Sequence, residues 1–183
     1  MDKKSQGWLN TLFSLGQRRQ ASNVEKLYAA TVFLARKPAF YQDFGVHDTV
    51  DGRFDALSLI VILVMRRLKS CGDEGKEMSQ QLFDSMFADM DLSLREMGAG
   101  DIGVSKRVRT MAEAFLGRLE AYVTALDHND RMALAAALRR NLFRQDSDAD
   151  PLGNGAVDYV FALATEITNL DPDDLLLGNL NLS

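Results

Sequence analysis

Val104-Ser-Lys-Arg-Val-Arg-Thr-Met-Ala-Glu-Ala-Phe-Leu-Gly-Arg-Leu-Glu-Ala-Tyr-Val-Thr-Ala-Leu126 decides the fold class. Val108, Met111, Ala112, Phe115, Leu116, Leu119, Tyr122, Val123 and Leu126 recur at helical spacing and share one face. Upstream, about Lys76 to Met97 repeats the pattern with Leu82, Phe83, Met86, Phe87, Met90, Leu94 and Met97, and Gly98 fits a left-handed stop. The link between them, Met97-Gly-Ala-Gly-Asp-Ile-Gly103, is short enough to predict an antiparallel αα-hairpin.

Further out, Ala56 to Met65 is apolar except for Ser58, which predicts a helix buried on all sides within about Arg53–Ser70. A membrane span needs roughly 20 apolar residues, so this run is too short to cross a bilayer. A first helix is predicted over Asn23–Lys37, with Ser22 as N-cap, Glu25 completing a capping box and Pro38 as the stop. Tyr41–Gly52 reads as turn-rich. Asn129 or Asp130 caps a helix to about Phe143, and Ala156–Leu170 forms a last full helix before a short turn at Asp171-Pro172. Nothing alternates with period two, so the expectation is an all-α, single-domain helical bundle with a long central αα-hairpin. It divides into a basic amphipathic arm (1–20), a helical core (21–145) and an acidic helical extension packed on that core (146–183).

Composition sets outer limits. The chain has 183 residues, 46% hydrophobic and 26% charged, enough apolar material for one core and no fit to a disordered chain. Cys71 alone allows no intrachain disulfide, and His47 and His128 are too separate for a triad or a histidine metal site. A net charge of −5 argues against nucleic acid as a partner. No secretory signal is read in the first 20 residues, and a reduced compartment is expected. Residues 1–20 carry +3, whereas 146–183 hold eight acids and no Lys or Arg. In the arm, Trp8, Leu9, Leu12, Phe13 and Leu15 accompany Lys3, Lys4, Arg18 and Arg19. That composition fits either contact with an anionic membrane, through Lys3, Lys4, Trp8, Leu12, Phe13, Arg18 and Arg19, or docking on the chain's own domain.

The predicted hairpin link breaks a local rule. Lys106, Arg107 and Arg109 would open the second helix, against the positive end of its dipole. Asp91 and Glu96, brought near by antiparallel pairing, would offset them. The result is either a mixed-charge binding groove or a structural ion-pair cluster tying two helices. Asp84, Asp89 and Asp91 do not converge as a calcium loop does, and Gly98-x-Gly100 follows a helix, unlike a phosphate loop. His47 reads as a surface histidine, Cys71 as an inert thiol and the methionines as core packing. No metal and no cofactor are expected.

Tyr41-x-x-Phe-Gly-Val-x-Asp-Thr-x-x-Gly-Arg-Phe-Asp55 resembles the opening motif of the ubiquinol–cytochrome c chaperone family. Leu82-Phe-Asp-x-Met-Phe-x-Asp-Met-Asp-x-x-Leu-Arg-Glu-Met-Gly-x-Gly-Asp-x-Gly-Val-x-Lys-Arg-Val108 and Met111-Ala-Glu-Ala-Phe-x-Gly-Arg118 resemble its central signature. The resemblance spans about 24–142, leaving the arm and the acidic end outside. His47 stands where proline is expected, and Leu116 where an aromatic often follows Ala-Phe. The resemblance implies a non-enzymatic chaperone for newly made cytochrome b in complex III biogenesis. The chain resembles the bacterial form, which implies a location peripheral at the cytoplasmic face of the inner membrane. The mitochondrial members' small partner protein and ribosome contact do not carry over automatically. A client-binding set follows: Asp48, Arg53, Asp55, Asp84, Asp89, Asp91, Arg95, Glu96, Asp101, Lys106, Arg107 and Arg109. The alternatives are a helical scaffold or adaptor for another membrane complex and, less favoured, an enzyme acting on a small anionic substrate.

Overall fold

Thirteen of the nineteen residues of Val50–Leu68 are buried, including every residue from Phe54 to Val64, and the rest of the molecule is arranged around this helix. The protein is described by a computed structural model covering residues 20–98, 100–144, 150–153 and 155–182. In chain order its helices are α1 (20–35), α2 (Val50–Leu68), α3 (Gly72–Glu96), α4 (Asp101–Asp127), α5 (Arg131–Asn141), α6 (Ala156–Thr168) and α7 (Pro172–Leu176), with a π-helical turn at Ala39–Asp43. No strand occurs among the described residues. α3 and α4 form the long hairpin, and α2 packs against both of them and against α6.

The all-round burial of α2 follows from its sequence. Leu59, Ile60, Val61, Ile62 and Val64 are fully enclosed, and each large aliphatic side chain contributes about 1.5–3 kcal/mol by leaving water. Near the N-terminal half of α2, Phe54, Phe83, Phe87 and Phe115 form an aromatic cluster joining α2, α3 and α4, with centroid distances of 4.6 to 6.4 Å. Tyr159 of α6 packs edge-on against Phe40 at 5.6 Å and so ties the π turn to the far side of the core. Residues of α6 and α7 belong to the same apolar cluster as α2.

Several helix starts differ from the sequence expectation. α1 is already helical at residue 20, so Ser22 lies inside it and does not cap it. α2 begins three residues before Arg53 because the Thr49 side chain accepts the Gly52 amide at 3.1 Å. Gly52 is obligatory there: a Cβ would stand 2.0 Å from the His47 carbonyl oxygen. α3 begins at Gly72, not after Gly75. Gly75 is a point of close approach, where a Cβ would meet the Leu68 carbonyl at 2.2 Å. α5 is capped by Asp130, which accepts the Ala133 amide at 2.9 Å, and Asn129 takes a left-handed φ of 52°. Asp171 caps α7, a true helix with Pro172 in its first turn.

The correction with most consequence concerns α4. It starts at Asp101, so the link is only 97–100, and Gly103 falls inside the first turn. The residue at the positive end of the dipole is therefore the acid Asp101, while Lys106, Arg107 and Arg109 sit a turn or more further on. The expected conflict with the dipole does not exist. Gly98, with φ 85°, ends α3 as expected. Leu116, assigned to the apolar stripe, is 56% exposed, whereas Arg118 takes a place on the buried face.

Candidate functional site

Two sets of the predicted charged residues lie on opposite sides of the wall that Phe54 forms, and others sit at the hairpin tip and on exposed helix faces. On the α1 side lies a groove of about 330 Å³, between the end of α1, the start of α2 and the end of α3. Its floor includes Val32, Leu57 and Met90, and its charged lining is Arg36, Arg53, Asp89 and Glu96. The Tyr28 hydroxyl donates to Asp89 at 2.7 Å. Burial, then the Asp89 contact, raises the Tyr28 phenol above its usual range, so it remains a donor. Asp48 accepts from Arg53 at 2.6 Å at the groove's edge, and that hydrogen bond holds its carboxyl below the usual range.

The hairpin tip is held by Arg95. Its guanidinium pairs with Asp91 one turn back, at 2.5 Å, and with Asp101 across the link. A base at the end of α3 and an acid at the start of α4 both suit their helix dipoles. The expected pairing of Asp91 and Glu96 with Lys106, Arg107 and Arg109 is therefore not formed. Asp91 is taken by Arg95, Glu96 lines the groove, and Arg109 pairs with Glu113 along the exposed face of α4. Asp84 is exposed and accepts from Gln80.

On the other side of Phe54, Arg107 reaches Asp51 of α2 at 2.8 Å. Asp55, expected on a recognition surface, is wholly buried instead. Its two oxygens accept from Arg118 and Arg144, each at 2.7 Å. Burial pushes its carboxyl up to about 6, although both guanidiniums pull it down. Arg118 and Arg144 were not singled out as site residues from sequence. The signal for Arg118 was present: it stands between Phe115 and Tyr122 on the buried face, where a base requires a buried acid. Lys3, Lys4, Trp8, Leu12, Phe13, Arg18 and Arg19 lie outside the described residues.

Apolar exposure is the second feature missed. Met97 and Ile102 flank the hairpin link at 55% and 89% exposure, and Phe33 on α1 is 73% exposed. Among the described residues no cluster of His, Cys, Asp and Glu is arranged to hold a metal ion, and no helix is long and apolar enough to cross a membrane.

The sequence pattern that defines ubiquinol–cytochrome C chaperones matches residues 42–182. The chain belongs to the ubiquinol–cytochrome c chaperone family. The match continues to residue 182, well past the limit of about 142 set by the sequence motifs, as suits an α6 that shares the core. Ubiquinol-cytochrome-c reductase complex assembly factor 1 of Xenopus laevis is 29% identical over 83% of this chain and 76% of its own length. The corresponding mouse protein is 26% identical over 83% of this chain and 51% of its own length, so the chain spans about half of that relative. The crystal structure of the Cbp3 homolog from Brucella abortus superposes with a TM-score of 0.84, at 36% identity and 96% coverage of both chains. A ubiquinol–cytochrome c chaperone is a complex III assembly factor, and this chain is one by family.

Proposed function

We propose that this chaperone binds newly made cytochrome b, without catalysing a reaction, and delivers it into complex III. The client docks at the groove between α1, α2 and α3 and on the adjoining hairpin tip. The observation that carries the reading is the combination in the groove of an apolar floor, both signs of charge and the exposed Met97, with Ile102 exposed across the hairpin link and Phe33 exposed on α1. Exposed apolar residues beside a polar rim mark a surface that meets another protein. The spanning helices of a membrane client go into lipid, which leaves its loops and helix ends for a chaperone that has no spanning helix among its described residues. Cytoplasmic loops are rich in Lys and Arg. Asp84, Asp89 and Glu96 of α3, together with the acidic 146–183 region, complement such loops. The protein then works at the cytoplasmic face of a bacterial inner membrane, with the basic 1–20 arm drawn to anionic lipid.

The test is a strain lacking the protein, read by the reduced-minus-oxidised haem spectrum and complex III activity of its membranes. Wild-type restores the cytochrome b signal, and the exposed-site variant Phe33→Asp/Met97→Asp does not, although it folds with an unchanged circular dichroism spectrum. Normal cytochrome b in the deletion strain overturns the client assignment. Equal loss of other respiratory complexes points to a general scaffold for membrane complexes.

A further inference from the structure

We propose that the cavity on the α4 side of Phe54 is a binding site for a phosphate-type anion. It has a volume of about 480 Å³ and is lined by Asp51, Phe54, Lys106, Arg107, Arg118 and Arg144. Four cations face it. Two carboxylates serve them: Asp51 bridges Arg107 at 2.8 Å and Arg144 at 3.5 Å, and Asp55, beneath the wall, takes Arg118 and Arg144 at 2.7 Å each. Among the described residues the local excess is two positive charges. Lys106 has no carboxylate within 4 Å among the described residues, so it is free to contribute to a ligand.

Arg118 is the decisive group. Its side chain is 10% exposed and its guanidinium lies over the Phe54 ring at 5.5 Å. Nη2 is spent on Asp55 and on the Asn141 carbonyl, while Nε has no hydrogen-bond partner. A guanidinium fixed in place by a carboxylate and a ring holds its positive charge at the cavity wall, although Nε itself is enclosed. Arg forks match the oxygens of phosphate, and an excess of two charges suits a phosphate dianion or a pair of phosphodiesters. Phe54, Met111 and Ala114 form an apolar part of the wall, where the carbon skeleton of an organic phosphate can lie. The phosphate comes either free, as a small solute, or on a lipid headgroup. The site does not depend on which protein the chaperone serves, because no residue of the α1-side groove except the shared Phe54 enters it.

The experiment uses the full chain and the variant Lys106→Ala/Arg107→Ala, whose side chains are exposed enough to spare the fold. Calorimetric titration with inorganic phosphate at constant ionic strength gives saturable binding to wild-type, weakened about tenfold in the variant by loss of charge-assisted bonds. Flotation with phosphatidylglycerol vesicles, against phosphatidylcholine vesicles, separates the sources. Binding that falls in the variant and is displaced by phosphate identifies a lipid headgroup. Phosphate binding with variant-insensitive flotation identifies a free phosphate. The proposal is overturned by absence of both, or by equal phosphate affinity in wild-type and variant.

Discussion

Asp55 and Arg118, 63 positions apart in the chain, meet at 2.7 Å with the carboxylate fully enclosed. One sits at the start of the apolar core of α2 and the other midway along α4, so their contact fixes how the hairpin lies on the central helix. Arg144, just beyond α5, closes the same carboxylate from a third direction.

Removing this acid leaves a buried guanidinium without its counter-charge. Asp55→Ala is expected to lower the unfolding free energy by about 3–5 kcal/mol, the cost of breaking a buried pair from one side. Urea unfolding measures it as a fall in midpoint at constant slope. A loss under about 1 kcal/mol would mean that the pair is a surface contact in solution.

The same group gives stability a pH dependence of defined sign. Its carboxyl is raised from 3.8 to about 6 by burial, so the folded state holds the proton more tightly than the unfolded state. The associated stabilisation is complete below pH 3.8 and is lost as pH rises through about 6. Between pH 4 and pH 7 the advantage of wild-type over Asp55→Asn should shrink by an amount on the order of 3 kcal/mol. Parallel stability curves for the two proteins would contradict this.

Two glycines should respond in opposite directions. Gly52→Ala places a methyl against the His47 carbonyl, 2.0 Å away, where backbone must give way. It should cost about 1–3 kcal/mol or more, as overpacking does. Gly117 is an exposed interior residue of α4 with nothing within 4 Å of its missing Cβ. Gly117→Ala should gain about 0.5–1 kcal/mol from helix propensity alone. Thermal unfolding of both variants is the check.

These positions also show how far the sequence could be read. The hairpin and the enclosed α2 were legible because apolar spacing over twenty residues leaves few alternatives, and Ala56–Val64 is buried as expected. The starts of α2, α3 and α4 were not, because glycine was taken as a break. Gly52, Gly75 and Gly103 are inside helices, the first two where another backbone comes too close for a side chain. Moving the start of α4 to Asp101 reversed the electrostatic argument for the link and left Arg95, not Lys106, as its clasp. Asp55 was placed on the surface through its motif in the family resemblance, which does not distinguish a buried acid from an exposed one. Its neighbours Phe54 and Ala56 and the buried-face position of Arg118 together carried the contrary signal.

Tyr28 offers a way to separate the charge of the α1-side groove from its shape. Its hydroxyl is the donor that holds Asp89 at 2.7 Å, and burial keeps the phenol protonated. Tyr28→Phe leaves the ring in place and removes one hydrogen bond to a carboxylate, a loss of about 1.5–3 kcal/mol in stability. Asp89, released, should become more available to a basic loop of a client, so binding of Lys- and Arg-rich loop peptides should strengthen and grow more salt-sensitive. Fluorescence anisotropy across a salt series measures both quantities. If Asp89 serves only to anchor Tyr28, the variant loses stability while peptide affinity and its salt slope stay as in wild-type. The double variant Tyr28→Phe/Asp89→Asn then decides between a tether and a contact: a tether leaves peptide binding unchanged, and a contact loses the gain.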